Sequence, residues 1–252
     1  MKRIIPCLDI RDGRVVKGKK FQNVQDVAEP VELAKQYEAD RADVLFLLDI
    51  SGDDRATFLQ IVREIHVALS IPLYVGGGIR TVEDVVTAIE AGATKVSITS
   101  AAIERPELLA EACSVVGGDK VILSIDAKEV ADGKWHAFTR GGREDSGRDV
   151  IEWAQFGERA GVSEVLLNSI DTDGVKDGFH LALNKAVQES IGIPVIASGG
   201  AGSIEHFYEV LAGGYANAAL AASVFHYGEF TIREVKQYLA ERGVNVKTDN
   251  EL

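Results

Sequence analysis

The segment Ile71–Gly78, which reads IPLYVGGG, returns later in the chain in a similar form. The second copy, IPVIASGG, begins at Ile193, 122 residues after Ile71. Two further pairs keep the same order and nearly the same spacing: Leu8-Asp9 with Ile125-Asp126, 117 residues apart, and Val96–Ser100 with Ala219–Ser223, 123 residues apart. Three pairs in the same order predict two similar halves, spanning about residues 1–119 and 120–252.

Short β-rich runs alternate with longer helical patterns along the whole chain. Eight runs are predicted to be strands: Arg3–Asp9, Asp43–Asp49, Pro72–Val75, Lys95–Thr99, Lys120–Asp126, Glu164–Ser169, Pro194–Ser198 and Asn217–Ala221. The 252 residues give about 31 per strand–helix unit, which suits a closed (β/α)8 barrel or an open doubly wound sheet. Four units leave two open sheet edges, which a second set of four would cover. The repeat therefore favours an α/β fold, a (β/α)8 TIM barrel of two half-barrels, in one domain spanning residues 1–252.

Two segments between predicted strands are too long to be plain connections. Ile10–Glu29 is rich in Lys, Gly, Gln and Asn, and a loop of that length in a compact domain is typical of a lid. Lys128–Gly142 carries the pair Asp132-Gly133 between alternating stretches, which predicts a β-hairpin over the barrel mouth.

The composition excludes several classes of protein. The 27 basic and 39 acidic residues give a formal net charge of −12, which argues against a general nucleic-acid-binding protein. No apolar run approaches the roughly 20 residues that a membrane helix requires, and the charged start does not fit a signal peptide. Because Cys7 and Cys113 make no disulfide framework, we expect a cytoplasmic location. No residue cluster has metal-ligand spacing, so we expect neither a metal nor another cofactor.

Two aspartates end predicted strands at repeat-equivalent positions, Asp9 on the first strand and Asp126 on the fifth. Active sites of (β/α)8 barrels lie at the carboxyl ends of the strands. Because the first and fifth strands lie opposite each other, the two carboxylates would face each other as a general acid and a general base. The alternative is that each aspartate only caps the turn that follows it.

Glycine-rich turns follow the third and seventh strands, at Gly76–Gly78 and Gly199–Gly202. Small residues follow the fourth and eighth strands, at Thr99-Ser100 and Ala222-Ser223. Glycine lets the backbone approach a ligand closely, and helix N-terminal amides bind anions. The repeat therefore predicts two anion sites across one mouth and a substrate with a phosphate at each end. The alternative is that these glycines only allow tight turns.

Three charged residues are predicted to point into the barrel at its opposite, N-terminal end. Strand alternation places Arg3, Lys95 and Glu164 on the inner face. Stability alone would favour apolar side chains there. One interpretation is an ion-pair cluster that closes the base, and the other is a gated entrance for a small polar molecule.

Seven stretches together resemble one family, the cyclase (synthase) subunits of imidazole glycerol phosphate synthase from histidine biosynthesis. The matching stretches are Arg3–Asp9, Asp12–Gly18, Val75–Ile79, Ser124–Lys128, Asn168–Gly174, Ile196–Gly202 and Ala221–His226. The sister isomerase family of the same pathway shares the repeat and both aspartates. It does not typically carry Cys7-Leu8-Asp9 or Ser223–His226 in this form.

The resemblance implies a lyase reaction in which ammonia attacks the ketone of a bisphosphorylated formimino carboxamide ribonucleotide. Bond cleavage and ring closure then give imidazole glycerol phosphate and aminoimidazole carboxamide ribonucleotide. Asp9 and Asp126 are implied to be the acid/base pair. The implied substrate-binding residues are Lys17 on a mobile loop, Asp49, Asn168 and Asp173 at the mouth, Gly78, Thr99 and Ser100 at one phosphate, and Gly174, Gly200, Ala222 and Ser223 at the other.

The resemblance also implies a partner, a glutaminase subunit that forms a heterodimer at the N-terminal face and supplies ammonia. Arg3, Lys95 and Glu164 would then form the ammonia gate. The chain departs from the family at the gate position of the second strand, where Val44 replaces a glutamate and the neighbouring Asp43 is an alternative source of a carboxylate. Thr94 also stands where an aspartate facing the glutaminase is common.

Two other functions stay open at this point. One is the sister isomerase, which would isomerise the ribonucleotide without forming a ring. The other is a barrel that binds or regulates a glutaminase and has little chemistry of its own.

Overall fold

The eight predicted strands form the wall of a barrel. The structure, a computed structural model, describes residues 1–19, 22–50 and 54–248, and for residues 17–19 and 22–28 it describes the backbone alone. Within the described residues the strands are β1 (Arg3–Arg11), β2 (Arg14–Lys19), β3 (Gln22–Ala28), β4 (Leu45–Asp49), β5 (Leu73–Gly76), β6 (Lys95–Ile98), β7 (Val121–Ala131), β8 (Lys134–Thr139), β9 (Glu144–Asp149), β10 (Glu164–Ser169), β11 (Val195–Ser198) and β12 (Ala218–Ala221). The helices are α1 (Pro30–Ala39), α2 (Arg55–Ala68), α3 (Val82–Glu90), α4 (Ser100–Glu104), α5 (Glu107–Val116), α6 (Val150–Ala160), α7 (Leu181–Ser190), α8 (Ile204–Ala212), α9 (Ser223–His226) and α10 (Ile232–Glu241).

Parallel pairing closes the barrel without a free edge. The strands follow one another in the order β1, β4, β5, β6, β7, β10, β11 and β12. β12 then pairs with β1, matching Ala218–Ala221 with Arg3–Pro6. At least one helix follows each of these strands before the next one begins. The (β/α)8 barrel is therefore confirmed and the open sheet is excluded, while the boundary between two half-barrels stays a prediction.

Two apolar cores lie on the two sides of the barrel wall. The larger one fills the space between the strands and the surrounding helices. The smaller one fills the barrel interior, and its members are Ile5, Cys7, Val44, Phe46, Tyr74, Ile122, Leu166, Ile196, Ala218 and Leu220. The interior is thus a packed apolar column between the N-terminal base and the carboxyl-terminal mouth.

The predicted loop Ile10–Glu29 is a β structure instead. β1 continues to Arg11, and β2 and β3 extend it as antiparallel strands. Asp12 and Gly13 have φ values of 50° and 77°, as the two central residues of a tight hairpin turn require. This Asp-Gly pair was the signal in the sequence for the hairpin. The role of the segment as a lid stays a prediction, and the side chain of Lys17 lies outside the described part of the chain.

The second long segment forms the predicted hairpin. β7 runs on beyond the barrel to Ala131 and pairs antiparallel with β8 across Asp132-Gly133. β9 adds a third antiparallel strand to this extension. Because β7 also carries Asp126, the extension rises directly from the carboxyl end of a barrel strand.

Two glycines at repeat-equivalent positions make the same close approach. Gly77 has φ +81°, and a Cβ there would lie 2.1 Å from the carbonyl oxygen of Asp49. Gly199 has φ +86°, and a Cβ there would lie 2.7 Å from the carbonyl oxygen of Ser169. Each turn therefore packs its backbone against the end of the preceding barrel strand, which only glycine allows.

We expect Gly77→Ala to lower the free energy of unfolding by about 3 kcal/mol, since a methyl group would collide with backbone in a left-handed conformation. Gly214→Ala is the matched control, because Gly214 has φ +73° but no described atom within 4 Å of the Cβ position. That control should lose about 1–2 kcal/mol, the cost of the left-handed backbone. Urea unfolding of both variants measures the difference, and equal losses would contradict the close approach as the main constraint.

Candidate active site

Three aspartates meet at the carboxyl-terminal mouth of the barrel. Asp9 lies near the end of β1, Asp126 lies on β7, and Asp173 lies in the loop after β10. The negative charge of Asp173 contributes to a raised pKa at both Asp9 and Asp126. All three carboxylates therefore lie at one end of the barrel, and a joint catalytic role of Asp9 and Asp126 stays a prediction.

The carboxyl group of Asp9 has a strongly raised pKa. Burial raises its pKa to about 6, and the charge of Asp173 adds to this effect. The Cys7 thiol donates a weak hydrogen bond to Asp9 Oδ1 at 3.8 Å, which acts in the opposite direction. A carboxyl group with this pKa holds and releases a proton near neutral pH, as a general acid or base must.

Asp126 is held by a hydrogen-bonded chain across three neighbouring strands. Asn168 donates from Nδ2 to Asp126 Oδ1 at 3.0 Å and accepts at Oδ1 from the Ser198 hydroxyl at 3.2 Å. Strand register places Asn168 directly beside both residues. Burial raises the pKa of Asp126, and the Asn168 bond opposes that rise. The two aspartates thus have different surroundings, which suits different roles in proton transfer.

Asp49 lies at the mouth in contact with a residue that the sequence analysis missed. Its buried carboxylate is 3.5 Å from Arg55 Nη1, which also donates to the carbonyl oxygen of Gly77 at 3.1 Å. A Cβ on Gly78 would lie 3.5 Å from Asp49 Oδ2. Arg55 is the first residue of α2, where a positive charge is unfavourable for the helix dipole, and this placement was the available signal.

The first predicted anion site is hydrogen-bonded to the turn between β8 and β9. Thr99 precedes α4 and Ser100 begins it, while Ala222 and Ser223 occupy the same places at α9. Thr99 and Ala222 have similar φ values, −117° and −120°. The Ser100 hydroxyl accepts a hydrogen bond from the backbone N–H of Arg140 at 3.1 Å. The sequence analysis had not connected this turn with the site.

The second predicted anion site lies where two loops touch. The backbone N–H of Gly178 donates to the carbonyl oxygen of Gly200 at 2.9 Å. A Cβ on Gly200 would lie 2.0 Å from the carbonyl oxygen of Gly178. Gly174 has φ +73° and borders open space. The glycines therefore let these loops pack together while leaving room beside Gly174.

At the opposite end of the barrel the three predicted charged residues form one cluster. Arg3 Nη2 lies 2.6 Å from Glu164 Oε2, and Lys95 forms an ion pair with Glu164 and donates to Ser163 Oγ at 3.0 Å. Tyr74 joins them through its hydroxyl. Burial by itself would raise the pKa of Glu164, but the bonds and charges of Arg3 and Lys95 lower it. We call Arg3, Tyr74, Lys95 and Glu164 the basal ring; sequence analysis missed Tyr74.

Asp43 does not supply the missing carboxylate of this ring, so that alternative was wrong. Its carboxylate is 2.6 Å from Lys236 Nζ on α10 and accepts the backbone N–H of Ile4 at 2.8 Å. These bonds hold it against the helix layer outside the barrel. Thr94 is also engaged, since its hydroxyl accepts the backbone N–H of Leu73 at 3.1 Å.

The described ranges contain neither a membrane-spanning helix nor a metal-binding cluster. None of the described helices is both long and apolar enough to cross a membrane. Residues 1–19, 22–50 and 54–248 contain no group of three His, Cys, Asp or Glu side chains that could hold a metal ion.

The fold and the site together define a class: a (β/α)8 barrel with buried carboxyl groups at the mouth and a charged ring at the base. Comparison with known proteins identifies the family. A family model described as "Histidine biosynthesis protein" matches residues 3–231. The chain is 52% identical over 99% of its length to imidazole glycerol phosphate synthase subunit HisF of Oceanobacillus iheyensis, covering 98% of that protein.

Two more relatives carry the same name. HisF of Solibacter usitatus is 52% identical and HisF of Thermococcus gammatolerans is 51% identical, each over 98% of both chains. The chain therefore belongs to the histidine biosynthesis family and, within it, to the imidazole glycerol phosphate synthase HisF subunits.

We expect Asp9→Asn to raise the free energy of unfolding at pH 7 by about 2 kcal/mol. Because the folded state raises the pKa of Asp9 to about 6, it holds more protons than the unfolded chain between about pH 4 and 6, and wild-type stability falls as pH rises through that window. The gain should shrink toward zero near pH 4. Urea unfolding at both pH values measures it, with the exposed Asp132→Asn as control. A gain independent of pH would contradict this account.

Proposed function

We propose that this chain is the cyclase subunit of an imidazole glycerol phosphate synthase and works in the cytoplasm. It uses ammonia to convert the bisphosphorylated formimino carboxamide ribonucleotide into imidazole glycerol phosphate and aminoimidazole carboxamide ribonucleotide. Similarity to HisF subunits over nearly the whole chain supports this lyase activity. The observation that carries the chemistry is the placement of Asp9 and Asp126 in one mouth, both within the field of Asp173.

Asp9 and Asp126 supply the proton transfers of this reaction. When ammonia attacks the ketone carbon, one carboxylic acid protonates the carbonyl oxygen and one carboxylate takes a proton from the attacking nitrogen. Bond cleavage and ring closure then need the same two groups in the reverse protonation states. Asp9, with a pKa of about 6, presents either state near neutral pH. Asn168 keeps Asp126 oriented toward the substrate throughout.

The substrate lies across the mouth with one phosphate at each anion site. Gly78, Thr99 and Ser100 hold the first phosphate, and Ser100 accepts the Arg140 N–H, so its own hydroxyl proton is free to be donated to a phosphate oxygen. The other phosphate and the middle of the substrate are held by Gly174, Gly200, Ala222, Ser223, Asp49, Asn168, Asp173 and Lys17. Backbone amides and hydroxyl groups carry much of this binding, so a chain of net charge −12 can still hold two phosphates.

Ammonia reaches the mouth from the N-terminal face, where a glutaminase subunit docks. The relatives are named as subunits, which supports a partner. Arg3, Lys95 and Glu164 form the gate between that face and the barrel interior. The apolar interior column then favours neutral ammonia over ammonium, because moving a charge into a low-dielectric interior is costly.

With an ammonium salt and no partner, we expect the wild-type chain to form imidazole glycerol phosphate. Asp9→Asn and Asp126→Asn should each reduce this turnover by at least about 100-fold, since each removes a proton-transfer group. Both variants should still bind the bisphosphorylated substrate, which isothermal titration calorimetry measures.

The exposed Asp132→Asn serves again as the control and should keep wild-type turnover. Full activity of either active-site variant would contradict the acid/base assignment. A wild-type product that is isomerised but contains no new ring would identify the sister isomerase instead. No turnover with ammonium would favour a binding scaffold.

A further inference from the structure

Tyr74 is in contact with every other member of the basal ring. Its hydroxyl accepts a hydrogen bond from Arg3 Nη1 at 3.0 Å and donates one to Glu164 Oε1 at 3.2 Å. Lys95 Nζ lies 5.6 Å from the centroid of the Tyr74 ring, within the range of a cation–π contact. The side chain is 4% exposed. Tyr74 therefore belongs to the ring itself, because it links Arg3 to Glu164 and also contacts Lys95.

The hydroxyl can bridge Arg3 and Glu164 because it stays neutral. Burial and the charge of Glu164 raise the pKa of Tyr74 to about 12. A neutral phenol accepts from a cation and donates to an anion at the same time, whereas a carboxylate can only accept. The ring therefore contains two cations and one anion, a formal net charge of +1.

Val44 offers no hydrogen-bond acceptor to the ring, so the hydroxyl of Tyr74 has to supply one. Val44 is 2% exposed and belongs to the same apolar column as Tyr74. An apolar side chain at that position offers no acceptor to Arg3 or Lys95, and Asp43 is committed to Lys236. Among the described residues, the remaining side-chain acceptor for Arg3 besides Glu164 is the hydroxyl of Tyr74.

We propose that Tyr74 is a positioning residue of the ammonia gate and that its hydroxyl replaces the second carboxylate that Val44 lacks. It holds Arg3 against Glu164 and so keeps the base of the barrel closed to bulk water. This inference rests on the proposed function, in which ammonia passes through the ring.

The neutral phenol of Tyr74 leaves the entrance with a positive formal charge. A ring with a second carboxylate would be neutral, whereas this ring carries one excess positive charge. Like charges repel strongly in a poorly solvated entrance. The ring should therefore exclude ammonium and admit neutral ammonia, which has no charge to be repelled.

Tyr74→Phe tests the hydroxyl while keeping the aromatic ring that packs in the apolar column. In the complex with the cognate glutaminase, we would measure imidazole glycerol phosphate formed per glutamate released from glutamine. We expect this ratio to fall at least about twofold, since losing the two hydrogen bonds loosens the ring and ammonia escapes. Turnover with saturating ammonium chloride, which can enter through the mouth, should match wild type.

Tyr208→Phe, a tyrosine of α8 outside the barrel, is the matched control and should leave both measurements unchanged. The double variant Tyr74→Phe with Val44→Glu restores a second acceptor and should recover the lost ratio. A Tyr74→Phe complex that stays fully coupled would overturn the inference, as would a folded double variant without recovery.

The failure of the proposed function looks different. In that case the wild-type chain itself would form no imidazole glycerol phosphate from ammonium chloride. If the wild-type chain turns over with ammonium and the Tyr74→Phe complex stays fully coupled, only the role of Tyr74 is contradicted. The proposed function is then unaffected.

Discussion

The pairing of β12 with β1 is the constraint on which the rest of the structure depends. It joins the last barrel strand to the first and encloses the apolar side chains of the barrel interior in one column. Arg3 and Asp9 lie six residues apart on β1, so about 20 Å separates the base from the mouth along that strand. One strand thus contributes both to the proposed gate and to the proposed acid/base pair. The strand register fixes where the base and the mouth of the barrel lie relative to each other.

Carboxylates at the two ends of the barrel behave in opposite ways because their neighbours differ. At the mouth, burial and a nearby like charge raise the pKa of Asp9. At the base, Glu164 is also buried, but Arg3 and Lys95 outweigh burial and lower its pKa. The mouth therefore holds carboxyl groups with raised pKa values, whereas the base holds one that stays charged and paired. At neutral pH the raised pKa of Asp9 lowers the free energy of unfolding, whereas the lowered pKa of Glu164 raises it.

The two long extensions show how far local sequence signals reach. Asp132-Gly133 predicted its hairpin correctly, and Asp12-Gly13 marks another that the sequence analysis treated as a loop. An Asp-Gly pair connects the two antiparallel strands in both hairpins. The second extension also reaches the first anion site through Arg140 and Ser100, which are 40 residues apart. A contact of that separation has no local signature in the sequence.

The amino-acid sequence by itself determined the eight barrel strands, the strand-end positions of Asp9 and Asp126, and the inward direction of Arg3, Lys95 and Glu164. These features follow from period-two alternation and from a repeat of about 120 residues, and both can be read along one chain. Only the tertiary structure decided the partners: Arg55 for Asp49, Lys236 for Asp43, and Tyr74 as the bridge in the basal ring. Tyr74 and Glu164 are 90 residues apart, and their hydrogen bond exists because barrel closure brings side chains of the non-adjacent strands β5 and β10 into one interior. Alternation tells which way a side chain points, whereas closure determines what it meets.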